Sequence, residues 1–437
     1  MKRYILLGIA CITSLFLMSC ASTSSRYYNA QVRNDLSQEN WIHHINVDPN
    51  VWTSCADKWF FTDEPRNFNE FETTAPASRA ITAMVVRVPD FTNIAVDGPY
   101  KVQIYGHQLH NSVYVLGPNT EARHTSVDIR GNTLYIHPAS ECTGGCGNHL
   151  NNVIVRIGIH DLNGLKANGT GLIEGKEITS YGLNIKSTNS NNVLLTGNMQ
   201  LNSIAQTGTG TVSVIGAYSP TVDINASGNG NVNVSGRVGV RHIMKKGTGY
   251  LNIIGADTDG LDVISYGSGL MRIAGNVNLR KINVYNTSRV YLYWVSSNGI
   301  YINVHDSARV GLAGTANNID AEVSGTARFE GKYLRTNNVY IRTRNYSHAN
   351  VHAVQKLFAN AMDNSSIYFF GSPNVVSRYT MGNGIVIPVF EDACPIPAAT
   401  QPVANQASFK DETAFSNYRH PYSSRPKHNY KNENPYR

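Results

Sequence analysis

The sequence predicts an all-β protein built as a parallel β-solenoid, and three observations carry that prediction. A G-x-G turn followed by a short alternating strand recurs as TGTGTVSVIG (207–216), SGNGNVNVSG (227–236), KGTGYLNIIG (246–255) and YGSGLMRIAG (266–275). Apolar residues at i and i+2 then recur in ten successive pairs: Val193/Leu195, Val212/Val214, Val232/Val234, Leu251/Ile253, Met271/Ile273, Val290/Leu292, Val310/Leu312, Ala327/Phe329, Val351/Ala353 and Ile367/Phe369. Charged residues are only 15% of the chain, and no stretch sustains the 3.6-residue period that a helical protein needs.

The first element is not part of that fold. Met1-Lys2-Arg3 followed by the apolar run Tyr4 to Leu17 reads as an export signal over residues 1–19. It ends in Leu17-Met18-Ser19-Cys20, which resembles the lipobox of bacterial lipoproteins and implies lipidation at Cys20. Ala21, rather than Asp, follows the cysteine and implies sorting to the outer membrane, facing the periplasm or the cell surface. Residues 20–84 form a polar tether and an aromatic-rich segment with Trp41, Trp52, Trp59, Phe60 and Phe61.

Export permits disulfides. The remaining cysteines considered are Cys55, Cys142, Cys146 and Cys394, of which Cys142 and Cys146, across Thr143-Gly144-Gly145, are the most local pair. His137 and His149 lie nearby, but their spacing matches no familiar zinc module, so no metal is expected.

Residues 85–160 carry period-two strands that would cap one end of the repeats, for instance Lys101-Val102-Gln103-Ile104-Tyr105 and Val153-Ile154-Val155-Arg156-Ile157. Residues 161–375 then hold the coils. A glycine sits two residues past most apolar pairs, at 197, 216, 236, 255, 275, 314, 331 and 371. A second short strand lies between pairs, as in Val222-Asp223-Ile224, Leu261-Asp262-Val263, Ile282-Asn283-Val284 and Ile302-Asn303-Val304, so each coil reads as two strands and two turns. No coil of about 20 residues buries its apolar face alone, so each must stack on its neighbours. Ten such coils at ~4.8 Å per strand make a rod on the order of 50 Å long. A β-propeller blade needs about 40 residues and four strands, twice what this period supplies. Residues 376–437 read as a C-terminal extension, with a polar tail beyond Cys394 that lacks periodicity.

Phe91-Thr92-Asn93-Ile94-Ala95-Val96-Asp97-Gly98, then Tyr100-Lys101-Val102-Gln103-Ile104, Leu134-Tyr135-Ile136 and the run of G-x-G-x-V-x-V-x-G coils resemble the head GIN domain family, described as autotransporter adhesin heads. The resemblance spans about residues 85–375 and implies an adhesin-like surface or periplasmic protein. The chain departs from an autotransporter in carrying a lipobox and no recognisable translocator barrel.

Composition and motifs exclude several chemistries. Formal charge is +7, falling to +5 without Lys2 and Arg3, with no polybasic run, so nucleic acid is not an expected partner. Calcium solenoids of the GGxGxD type need an aspartate in every turn, which GTG, GNG and GSG lack. No cofactor-binding loop appears. A polysaccharide lyase or hydrolase, the alternative class, needs acids converging from adjacent coils. Asp223, Asp262, Asp306, Glu322, Glu330 and Asp363 do not repeat in one column, and Asp306 with Arg309 is the nearest approach to a site.

The outward positions carry more information. They read Ser213, Asn233 and Asn252 in early coils, then Arg272, Tyr291, Arg328, His352 and Tyr368, interrupted by Gly311 and flanked by Arg289, Tyr293, Trp294 and Arg309. Such a strip would stack aromatic faces on sugar rings and clamp carboxylate or phosphate with guanidinium forks. The expected protein is therefore a lipid-anchored, non-catalytic adhesin or envelope scaffold. Its expected partners are the membrane, a glycan or anionic envelope polymer, and other envelope proteins.

Overall fold

The computed structural model describes residues 81–86, 88–140 and 150–390. The export signal, Cys20, the early aromatic cluster, Cys55, Cys142, Cys146, His149 and Cys394 lie outside these residues. The described strands join one 21-stranded sheet that winds as a parallel β-solenoid of about 12 turns with coils of ~19 residues. That is two turns more than the ten apolar pairs count.

The extra turns come from the cap region. Strands β1 (Ile81–Val86), β2 (Asn93–Asp97), β3 (Lys101–Tyr105), β4 (Ser112–Pro118), β5 (Thr125–Arg130), β6 (Thr133–Pro138) and β7 (Ile154–Gly158) precede β8 (Gly164–Gly169) and β9 (Leu172–Asn189). β2 pairs in parallel with both β6 and β8, and β3 with both β7 and β9. The chain thus lays down one coil, leaves it, builds the outer coil, and returns to continue on the other side. Only β1 with β4, β4 with β7, and β5 with β6 run antiparallel.

From β10 (Asn192–Gln206) the coils repeat as β11 (Thr211–Ala226), β12 (Asn231–Lys245), β13 (Leu251–Ser265), β14 (Leu270–Val284), β15 (Arg289–Val304), β16 (Arg309–Val323), β17 (Arg328–Thr343) and β18 (His348–Asp363). Each coil is one bent strand and one turn, not two strands and two turns. The bends are register shifts, where an extra residue kinks the strand without ending its ladder. β19 (Ser366–Phe370), β20 (Val375–Gly382) and β21 (Ile385–Pro388) extend the stack past residue 375.

The inward residues form continuous columns. One runs Val193, Val212, Val232, Leu251, Met271, Val290, Val310, Phe329, Ala349, Ile367, all buried. A second, on the far leg of each coil, runs Ile204, Ile224, Ile243, Val263, Ile282, Ile302, Ala321, Ile341. Burying each valine, leucine, isoleucine, methionine or phenylalanine of these columns is worth roughly 1.5–3 kcal/mol, and neither neighbour could supply the dry surface alone.

Two of the ten expected pairs are out of register. Val310 faces Phe329 and Phe329 faces Ala349, so the true pairs are Phe329/Gly331 and Ala349/Val351. The shift arises because Gly331 stands at an apolar position; a Cβ there would lie 2.8 Å from the Phe329 ring, which fills the space a side chain would take. Alternation read from the sequence slides to the next small apolar residue on either side.

Most turns between the later coils use a left-handed residue. Gly247 and Gly267 supply it early, and Asn286, Asp306, Gly325 and Asn345 later, with φ between 60° and 94°. Asn, Asp and Gly are the residues that enter this region most readily.

One interior column is polar where it meets the turns. Gln206, Ala226, Lys245 and Ser265 follow one another in register, and Lys245 is fully buried. Its ammonium donates to the Gly247 carbonyl at 3.4 Å, as the Gln206 amide donates to that of Gly210. Burial pushes the Lys245 pKa down from 10.5 to about 8. A lysine that holds its proton less tightly when folded costs stability below about pH 8, and that cost fades as the unfolded chain also deprotonates towards 10.5. Stability should therefore rise between about pH 8 and 10.5. Lys245→Met should raise the melting temperature at pH 7 and abolish that rise; a lower melting temperature at pH 7 would contradict the assignment.

Candidate functional site

Correct register redraws the outward strip. On the first leg of each coil, just after the turn, the outward column runs Leu194, Ser213, Asn233, Asn252, Arg272, Tyr291, Gly311, Glu330, Asn350, Tyr368. Arg328 and His352 are not in it. Arg328 belongs two positions earlier, directly opposite Arg309, which in turn faces Arg289. The beginning of this leg therefore carries Arg289, Arg309, Arg328 and His348 one above another, at one strand spacing of ~4.8 Å. His352 instead lies at the following corner, opposite Arg335 and Phe370. Burial lowers its pKa, partly countered by a hydrogen bond to the Lys332 backbone.

The aromatic members are not open faces. Tyr291, Tyr293 and Trp294 are 4%, 5% and 5% exposed and form a small cluster with Ala313, against which Leu270, Ala274 and Tyr333 pack. An outer layer of side chains thus lies over the strand, and even Gly311, pointing outward, is buried beneath it. Burial raises the Tyr291 pKa, with Arg309 and Arg289 pulling it down. Glu330, one of the candidate acids, lies in the same outward column. Burial holds its carboxyl above the usual range, opposed by a hydrogen bond from the Asn350 amide and by Arg328, Arg309 and Lys332. Tyr368 closes the column beside His348, whose Nδ1 lies 2.8 Å from the Ser366 hydroxyl. Lys332 sits 4.9 Å from the Phe370 ring centroid.

Trp294 occupies a place that other coils give to glycine. The corner residues are Gly197, Gly216, Gly236, Gly255, Gly275, Trp294 and Gly314, all at positive φ. They are of two kinds. Gly197, Gly236, Gly275 and Gly314 lie near 140–150°, a region essentially closed to other residues, whereas Gly216 and Gly255 lie near 85°. Trp294, at 58°, is in the second set, where an L-residue fits at a cost of about 1–2 kcal/mol. The gap in the glycine series was a legible signal: between Gly275 and Gly314 the place falls on the largest side chain.

Four of the six candidate acids hold turns or pair with surface arginines. Asp306 is the left-handed turn residue of its coil, and its Oδ2 accepts the Asn286 N–H at 2.8 Å. Asp363 does the same for Asn345 at 2.9 Å. Asp223 and Asp262 pair with Arg241 and Arg280 on the surface. Among the described residues, no group of three or more His, Cys, Asp or Glu is placed to hold a metal ion.

A family model described as "Putative auto-transporter adhesin, head GIN domain" matches residues 90–293 and 272–373. The chain belongs to the head GIN domain family. Three solved structures are similar to this GIN-domain chain. A "putative adhesin" from Bacteroides fragilis is 16% identical, with 71% of this chain and 98% of that one covered and a TM-score of 0.23. A "putative adhesin" from Parabacteroides distasonis is 17% identical, covering 71% and 98%, with a TM-score of 0.25. A "putative lipid binding protein" from the same species is 16% identical, covering 71% and 97%, with a TM-score of 0.24. At such identities and superposition scores these likenesses add nothing to the family assignment. No curated protein matches the chain.

The two effects at Trp294 can be separated by size. Trp294→Gly relieves about 1–2 kcal/mol of backbone strain but forfeits aromatic packing worth about 3–5 kcal/mol. Urea denaturation should show a net loss of about 2 kcal/mol. A more stable variant would mean that the ring contributes little to the outer layer.

Proposed function

We propose that this GIN-domain protein is an exported, lipid-anchored adhesin or envelope scaffold that captures anionic envelope polysaccharide without catalysing its breakdown. The observation that carries this reading is the column Arg289, Arg309, Arg328. Like charges set directly opposite one another on adjacent strands destabilise a sheet. Nothing in the solenoid's periodicity demands arginine at these positions, since equivalent places in earlier coils hold Asn231, Leu251's neighbour Tyr250, and Leu270. A polyanion lying along the rod would turn that repulsion into attraction, with successive carboxylates or phosphates meeting successive guanidiniums. The buried layer of Tyr291, Tyr293 and Trp294 then buttresses the arginine stems and does not stack on the ligand.

The enzymatic alternative finds Asp223, Asp262, Asp306 and Asp363 already engaged with turns and surface arginines, which leaves it Glu322 and Glu330. The export signal and the lipobox at Cys20 support attachment to the outer membrane, on its periplasmic or outer side. Envelope proteins remain natural partners for so long a face.

Sodium polygalacturonate is a suitable probe. It should bind the purified soluble domain with an affinity that falls steeply with salt, and Arg289→Ser/Arg309→Ser/Arg328→Ser should lose binding at least tenfold. The triple variant should also melt at a higher temperature than the parent in low salt, a difference that vanishes near 1 M salt, where the Debye length is ~3 Å. Binding unchanged in the triple variant would end the proposal. For the anchor, Cys20→Ala should move the protein from the membrane fraction to the soluble fraction of lysed cells; an unchanged distribution would exclude lipid attachment there.

A further inference from the structure

A second outward column, on the leg that precedes the turn, carries a site of different chemistry. Lys281, Tyr301, Asp320, Tyr340, Phe358 and Ser377 follow one another in register. Tyr301 is 60% exposed, Tyr340 45% and Phe358 37%, in contrast to the buried aromatics of the first leg. Tyr340 and Phe358 stack with centroids 4.9 Å apart and planes within 1°. Phe358 therefore covers one face of Tyr340, and the other looks across Asp320 towards Tyr301.

Because Asp320 is short, the two tyrosines flank a slot. They stand two coils apart, ~9.6 Å at the spacing of stacked strands. Aromatic ring contacts take about 4.5–7 Å between centroids, so the slot admits one six-membered ring between the tyrosines and not two. The floor is polar: Arg342 Nη2 donates to Asp320 Oδ1 at 3.2 Å, fixing the carboxylate while both groups stay partly exposed.

We infer that Tyr301, Asp320 and Tyr340 form a binding slot for a single neutral pyranose ring of a glycan chain. The apolar C–H faces of a pyranose suit the negative faces of two aromatic rings, and its rim of hydroxyls suits a floor with one acceptor and one donor group. A flat aromatic guest would match the walls but leave the carboxylate and guanidinium without ligand partners, and desolvating them costs free energy. The cationic column lies on the other side of the turn, so this site stands or falls independently of polyanion capture.

Saturation-transfer difference NMR with cellohexaose, xylohexaose, mannohexaose and chitohexaose tests the slot on the soluble domain. At least one hexasaccharide should receive saturation at its ring C–H protons. Tyr301→Ala and Tyr340→Ala should each abolish the transfer, and Asp320→Asn should weaken binding at least tenfold. Tyr301→Leu keeps apolar bulk without a flat face and should also fail, with melting temperature unchanged. The triple arginine variant should bind as the parent does. Absence of transfer to all four sugars, or transfer undiminished in both tyrosine-to-alanine variants, overturns the inference.

Discussion

The constraint on which this molecule depends is register between coils. Every coil must present its apolar residues to the same interior columns as its neighbours while its backbone bonds to the coils above and below. A slip of one residue would turn the whole inward set outward. This requirement explains why the corners are so restricted in composition. At Gly275 the corner comes so close to the Ala256 backbone that a Cβ would overlap its carbonyl oxygen, and φ is 144°. Corner glycines are thus part of the stacking itself: they let one coil's bend nest in the next.

Within that frame, departures from the repeat are concentrated rather than scattered. Coils from about residue 270 onward bring together three arginines in direct opposition, a carboxyl held above its usual range at Glu330, and a tryptophan in a left-handed corner. Each is locally unfavourable, and each lies on or beside one outward leg. Sequences ordinarily agree with their fold at every level except where function demands otherwise. The early coils, with Ser213, Asn233 and Asn252 in the equivalent column and Asn233 donating to Ser213 at 3.2 Å, show what the same leg looks like when only the fold is served. The late coils thus differ from the early ones on this one leg, which is where the proposed contact with a polyanion lies.

Much of the architecture was legible because it follows from period alone. The G-x-G strings fall at the turns between coils, and the inward pairs from Val193 to Leu312 and the second-leg residues Val222, Ile224, Leu261 and Val263 are buried as their spacing requires. The reading failed where a column is filled by something other than an apolar side chain of its own coil. Gly331 borrows the Phe329 ring, so alternation pointed to Ala327/Phe329, and the error carried Arg328 and His352 into the wrong outward column. Burial of Tyr291 and Trp294 was not legible either, since a strand's outward face reads as solvent unless a second layer is known to cover it. Glu330 was visible as an acid, but its place in the outward column beside Asn350, like the Tyr301–Asp320–Tyr340 slot, needed neighbouring coils to be aligned residue by residue.

Stacking in register is most directly tested by distance. Spin labels placed at Asp223 and, in separate variants, at Tyr301, Asp320 or Tyr340 occupy one outward column, four, five and six coils apart. Pulsed electron–electron resonance should give mean separations of about 19, 24 and 29 Å, one strand spacing added per coil. Separations that do not lengthen by this increment would contradict the parallel stack and every surface built on it.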